Sequence, residues 1–277
     1  QLHHFIVSHG EDRILAGDYK MYDLKMPAQL SQAAFSILIK IAEYFGYSRE
    51  HLCIMRGIAT DLTYPLVAFN GDLIGFHNTN PSGHNLTVYI NCIVNSLLLR
   101  CAFCAVYGVR PELKFREVCA LITYGDDCIS SVSEEYPEFN HCTVAKYLDS
   151  CGMQFTMPDK ESDPIPYLRM RDCDFLKRKS VYHSQLGYFI GALDEMSIFK
   201  SLHSVLQSDS VTLKEQMISN LDGAAREFFC HGKKVYDVRV QQLRAVAEEM
   251  ELSHACRELG YTYEDRVVKW KEQYVDG

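Results

Sequence analysis

The chain has 277 residues and a mass of 31.7 kDa, enough for one large domain or two smaller ones, which excludes a short coil or peptide module. With 47% hydrophobic and 23% charged residues it has the composition of a globular protein and not of a disordered tail. A formal net charge of -8 excludes a surface that is basic overall, so any groove for a polyanion is local.

Gln1 opens the sequence with no initiator Met and no charged-then-apolar leader, which predicts a segment cut from something longer. Arg13 to Gly17 is a short apolar run ending at Asp18 and reads as a strand followed by a polar turn. Leu30, Ala34, Ile37, Leu38, Ile41 and Phe45 then recur at helical spacing, predicting a helix over 28–45. Tyr64 to Phe69 and Leu73 to Phe76 flank Asn70-Gly71, the strongest short signal for a hairpin.

After Pro81-Ser82-Gly83 an apolar stretch runs to Tyr107 and stops at Gly108, as a buried helix does. Asn91, Asn95 and Arg100 interrupt it and would each be costly at the centre of a bilayer, so no membrane span is predicted. Val118 to Thr123 and Cys128 to Val132 read as a second hairpin with Tyr124-Gly125-Asp126-Asp127 at its tip. A helix over 140–151 follows, then a third strand pair over 174–181 and 186–190. Helices take over from about Ser197, with a long charged one near 235–252, so the chain is expected to divide near residue 192.

The 11 cysteines are scattered, odd in number and partly inside apolar runs, which predicts thiols in a reducing, intracellular compartment. Cys101-x-x-Cys104 has no clear second pair and is read as core thiols, not a zinc site. His3, His4 and His9, close to the chain end, are read as exposed or incidental.

Adjacent carboxylates repel each other, and a fold keeps such a pair most readily when a hard cation neutralises it. Asp126 and Asp127 are therefore metal candidates, and Asp18, at the end of another strand, supplies the third carboxylate that a two-cation phosphoryl-transfer site would use.

Asp18-Tyr19-x-x-x-Asp23, Ser82-Gly83-x-x-x-Thr87-x-x-x-Asn91, Tyr124-Gly125-Asp126-Asp127, Asp159-Lys160 and Phe175-Leu176-Lys177-Arg178 follow one another in this order. In order and spacing they resemble motifs A to E of the RNA-dependent RNA polymerase of picorna-like positive-strand RNA viruses. The resemblance implies an α+β right-hand polymerase: a palm over 1–192 with a three-stranded antiparallel core sheet and flanking helices, a partial fingers insertion at about 47–80, and an α-helical thumb over 193–277. It implies Mg2+, with Mn2+ as a substitute, on Asp18 and Asp126 with Asp127 beside them, and Lys160 as the general acid that protonates pyrophosphate. Asp23, Ser82, Gly83, Thr87 and Asn91 would bind the nucleotide and its ribose, and Lys177 and Arg178 would support the RNA primer.

The implied activity is template-directed addition of ribonucleoside triphosphates to an RNA 3′-hydroxyl. Template and primer RNA and other viral replication proteins are the expected partners, in a replication complex in the host cytoplasm or packaged in a virion. The family places its basic motif F and most of its fingers before motif A, yet only 17 residues precede Asp18. Two alternatives stay open: a reverse transcriptase-like polymerase, and a palm-thumb fragment that binds RNA without turnover.

Overall fold

The computed structural model describes residues 1–77 and 79–275. Residue contacts divide the chain into two compact units, Gln1–Cys173 and Asp174–Gly277.

In the first unit a short α1 (Leu2–Ile6) precedes β1 (Ile14–Tyr19), α2 (Ala28–Tyr44), α3 (Arg49–Thr63) and the hairpin β2 (Leu66–Phe69) and β3 (Asp72–Gly75). There follow α4 (Thr87–Tyr107), α5 (Phe115–Val118), β4 (Cys119–Tyr124), β5 (Asp127–Val132), α6 (His141–Ser150) and β6 (Phe155–Thr156). The strand order β4-β5-β1-β6 is antiparallel throughout. The sheet thus has four strands where the resemblance implies three, the fourth being the two-residue β6 beside Asp18 and Tyr19.

Gly17 explains how β6 docks. A Cβ there would lie 2.3 Å from Phe155 Cζ, so only glycine lets that ring lie on β1. Phe155 then stacks on His141 at 5.1 Å and meets Tyr19 at 4.8 Å between ring centroids.

By length and composition α4 could cross a membrane, but it packs against α2, β4 and α6 and buries Ile90, Val94, Leu98 and Ala102 together with the amides of Asn91 and Asn95. Its sequence is apolar on all sides, and only the packing decides which face is covered. Cys104 is consequently exposed and Cys101 half-buried, so this pair is not the core pair expected from its apolar surroundings. His3 also departs from expectation: it is buried, because α1 packs on β4 and β5. The helix α3, unpredicted from the sequence, starts at Ser48, whose hydroxyl accepts from the His51 N–H, and of its side chains only Leu52 and Thr63 are buried.

The second unit begins with β7 (Arg178–His183) paired to β8 (Tyr188–Leu193), followed by α7 (Glu195–Leu202), α8 (Leu213–Phe229), α9 (Lys233–Glu249) and α10 (Tyr263–Tyr274). Leu186 and Ile190 join Ile198, Phe228, Tyr236 and Leu243 in one apolar core. That shared core is why contacts divide at Cys173 and not near 192. The strands also start later than the sequence pattern predicts, because Phe175 and Arg178 exchange both backbone hydrogen bonds, each 3.0 Å, and close a tight turn before the ladder begins. Capping boxes at Thr212 and Thr262 fix the starts of α8 and α10.

Candidate active site

The ladder between β1 and β5 sets Gly17 opposite Cys128, so the next step along it carries Asp18 to the end of the sheet where the β4–β5 turn lies. Tyr124 pairs with Asp127, leaving Gly125 and Asp126 as a two-residue turn with Gly125 at φ 64°. A turn with positive φ at its first central residue favours glycine there, which ties Gly125 to the adjacent carboxylates. Asp126 is exposed and Asp127 half-buried.

Lys160 Nζ lies 3.0 Å from Asp18 Oδ2. The turn that brings it there is built by Asp159, whose carboxylate accepts from the backbone N–H groups of Glu161 and Ser162 at 3.1 and 3.0 Å. A hydrogen bond from the Ser162 hydroxyl, with these two backbone bonds, holds the Asp159 carboxyl below its ordinary value. Lys160 itself has φ 68° and donates its N–H to Met157 O at 2.9 Å. An open cleft of about 830 Å³ lies here, lined by Asp18, Lys20, Lys146, Gln154 and Lys160 among others.

The loop before α4 makes a second constellation. Asn91 Nδ2 donates to Asp23 Oδ1 at 2.9 Å, and the Tyr22 hydroxyl donates to Asn91 O at 2.9 Å. Thr87 Oγ1 donates to Pro81 O and His84 O, so it folds the loop onto the helix start, whereas Ser82 and Gly83 lie exposed. Burial pushes the hydroxyl pKa of both Tyr19 and Tyr22 up, which keeps them protonated donors.

Asn95 links the two carboxylate-bearing segments. Its Nδ2 faces the carbonyl oxygens of Gly125, Asp126 and Asp127 at 3.2, 2.8 and 3.3 Å, and its Oδ1 accepts from the Tyr19 hydroxyl at 3.1 Å. The side chain is fully buried. Cys92 assists, its sulfur accepting from the Gly125 N–H at 3.1 Å. In the sequence Asn95 reads only as a polar break in an apolar run. The signal that identifies it is its spacing of one helical turn from Asn91, which puts both amides on the same face.

The model of the family described as viral RNA-dependent RNA polymerase matches residues 1–248. The chain belongs to that family. It is 28% identical over 260 residues to the replicase polyprotein of Drosophila C virus (strain EB), covering 90% of the chain and 15% of the polyprotein. It is 32% identical over 195 residues to the genome polyprotein of Rice tungro spherical virus (strain Vt6), covering 66% of the chain and 6% of that polyprotein. Its fold is similar to a solved Sicinivirus 3Dpol RNA dependent RNA polymerase, with TM-score 0.67 and 16% identity, covering 95% of this chain and 51% of that one. The chain therefore spans a small part of the polyproteins it matches and about half of the solved polymerase chain.

Family membership gives the expected site residues a common frame. The fold brings Asp18, Asp126, Asp127 and Lys160 to one end of the sheet, and joins Asp23 to Asn91 through a hydrogen bond. Among the described residues no three His, Cys, Asp or Glu side chains form a ready-made metal site. The donor set is nonetheless one that suits Mg2+: hard carboxylate oxygens, few in number, of the kind that bind this ion jointly with substrate phosphates. The residues fit a cation that arrives with a nucleotide and not a closed protein cage.

Lys177 and Arg178 belong to the second unit. Leu176 and Lys177 have φ 56° and 58°, the two-residue turn geometry that needs positive φ at both central positions, and Lys177 is exposed there. Arg178 is engaged differently from expectation. Its guanidinium makes a two-pronged pair with Glu227 at 2.8 and 2.7 Å and donates to Gly191 O at 2.9 Å, tying β7 to α8. The hydrogen bond to the Glu227 carboxylate raises its pKa against the opposing effect of burial.

Proposed function

We propose that this chain carries the catalytic palm and the thumb of an RNA-directed RNA polymerase that adds ribonucleoside triphosphates to an RNA 3′-hydroxyl under template direction. The observation that carries the reading is Asp18, paired with Lys160, at the same end of the sheet as the Asp126-Asp127 turn. Mg2+, or Mn2+ in its place, held by Asp18 and Asp126 with Asp127 beside them, would activate the 3′-hydroxyl and stabilise the departing pyrophosphate.

The residues of the chain do the positioning. In this reading Lys160 sits on Asp18 until a triphosphate arrives, then serves the leaving group as proton donor. Both groups keep substantial solvent contact, 67% and 24% of their side-chain surface, so their pairing is worth little and exchanges readily for phosphate. Lys20 and Lys146 add positive charge to the cleft through which phosphates would approach. The Asp23–Asn91 pair supplies an acceptor and a donor to the ribose, with Ser82, Gly83 and Thr87 shaping the loop around the nucleotide. That pair favours ribonucleotide over deoxyribonucleotide substrates and so an RNA polymerase over a reverse transcriptase. Lys177, exposed at its turn, is the primer-strand phosphate contact, and Arg178 supports it by fixing the start of β7.

Residues 1–192, with the fingers piece at about 47–80, would form the palm and 193–277 the thumb; the hairpin β7–β8 shares the thumb's core. Template and primer RNA, nucleotides and other viral replication proteins are the proposed partners, in a replication complex of the host cytoplasm.

The test is single-nucleotide primer extension by the longest polymerase product that contains these residues. Asp18→Ala and Asp126→Ala are expected to abolish addition with the circular dichroism spectrum unchanged, and Asp127→Asn to be the mildest of the three. Wild-type-like extension by a folded Asp126→Ala protein would overturn the proposal.

A further inference from the structure

Asn91 can hold its side-chain amide either way up, since oxygen and nitrogen differ little in size, and only one way presents a donor to Asp23. What fixes the choice lies outside the pair. Asn91 Oδ1 accepts from Asn80 Nδ2 at 2.6 Å, and Asn80 Oδ1 meets His84 Nε2 at 2.9 Å. Asn80 is 3% exposed and Asn91 7% exposed, so both amides are largely shielded from water and depend on these partners.

The polarity of this chain is forced by groups that leave no choice. The backbone N–H of Leu86 donates to His84 Nδ1 at 3.2 Å, so that nitrogen is an acceptor and the proton of the neutral ring sits on Nε2. His84 Nε2 therefore donates, and Asn80 must turn its oxygen to it. The Asn80 amide nitrogen then faces Asn91 Oδ1 and also Thr87 O, a backbone carbonyl that can only accept, at 3.3 Å. Asn91 is left with its nitrogen toward the Asp23 carboxylate, which in its ionised form also only accepts. Burial lowers the pKa of His84, which favours the neutral ring the chain requires.

We propose that Asn80 and His84 are specificity-determining positioning residues, which select ribonucleotides by locking the Asn91 amide so that its N–H groups face Asp23 and the sugar. The proposal rests on the reading of Asp23 and Asn91 as the ribose-contacting pair. With the amide locked, a 2′-hydroxyl can donate to the carboxylate and accept from Asn91. With it inverted, oxygen faces carboxylate and the hydroxyl loses its donor. A deoxyribose has neither bond to lose, so the lock affects ribonucleotides alone.

The experiment measures kcat/KM for a ribonucleotide and for the matching deoxyribonucleotide, in the same primer-extension system, for four variants. Asn80→Asp keeps size and the acceptor for His84 but cannot donate to Asn91. It is expected to lower the ribo-to-deoxy ratio about tenfold, the loss of roughly one hydrogen bond, through weaker ribonucleotide use. His84→Leu is expected to do the same, whereas His84→Gln, whose amide nitrogen can reach Asn80 Oδ1, keeps the ratio near that of the unaltered protein. Asp23→Ala is the control for the underlying reading. A ratio unchanged in folded Asn80→Asp but lowered in Asp23→Ala overturns the lock and leaves the ribose-binding pair standing. An unchanged ratio in Asp23→Ala overturns both. If Asn80→Asp fails to fold, equal ratios in His84→Leu and His84→Gln overturn the proposal.

Discussion

Lys160 and Asp18 form an ion pair at 3.0 Å although 142 positions separate them in the chain, and both line the open cleft. An arriving triphosphate offers the ammonium several negative oxygens in place of one carboxylate. Under the proposed function the pair would be a resting arrangement that a triphosphate replaces.

Lys160→Leu is accordingly expected to slow nucleotide addition by about 100- to 10,000-fold in single-turnover kinetics, the usual contribution of a general acid, with apparent nucleotide affinity changed less. A variant altered only in affinity would make Lys160 an electrostatic contact and not a proton donor.

The Asp23–Asn91 pair leads to a selectivity prediction. Asp23→Ala and Asn91→Ala should each lower discrimination against deoxyribonucleotides about tenfold while reducing addition itself less, measured as the ratio of kcat/KM values. Equal losses on both sugars would assign the pair to loop structure alone.

Asn95→Leu keeps the branching and heavy-atom number of the side chain but leaves the carbonyls of the Gly125–Asp127 turn and the buried Tyr19 hydroxyl without their shared partner. A loss of about 1–3 kcal/mol is expected in denaturant unfolding, together with reduced nucleotide addition, because the same amide holds both carboxylate-bearing segments. Full stability and activity in this variant would remove Asn95 from the account.

At Gly17 a methyl group would collide with the Phe155 ring, so Gly17→Ala should destabilise by about 1–3 kcal/mol. Gly57, inside α3 with open space around its Cβ position, provides the contrast: Gly57→Ala should stabilise by about 0.5–1 kcal/mol. Chemical denaturation of the two variants checks both signs.

His183 is 5% exposed, packs against the rings of Phe229 and Tyr263 at 5.0 and 5.8 Å, and has its pKa lowered by burial. A base whose folded pKa lies below its unfolded value stays neutral in the fold while the unfolded chain takes up a proton. Stability is therefore full above the unfolded pKa and falls as the pH drops through about 6.5. Thermal unfolding from pH 7.5 to 5.5 should show a falling Tm, and His183→Gln should flatten part of that slope. An identical slope in the variant would place the acid sensitivity elsewhere.

The carboxylates, the two hairpins of the first unit and the order of the five motifs were legible in the sequence because each depends on local chemistry: a strand end, a Gly-Asp-Asp turn, an Asn-Gly turn, a fixed spacing along a helix. What tertiary structure alone decided is which groups meet. The apolar residues of α4 run round all its sides, so although Asn91 and Asn95 share a face, the burial of that face and the exposure of Cys104 came from packing against α2, β4 and α6. Arg178 reads as a free cation in its motif and is tied to Glu227, a partner 49 positions away that no local rule points to. Asn80 lies in a loop without periodicity, and its role depends on His84, Thr87 and Asn91 converging on it. Sequence determines which side chains can accept, donate or carry charge. Their partners are chosen by contacts between distant segments, whose energies appear only once the chain has closed on itself.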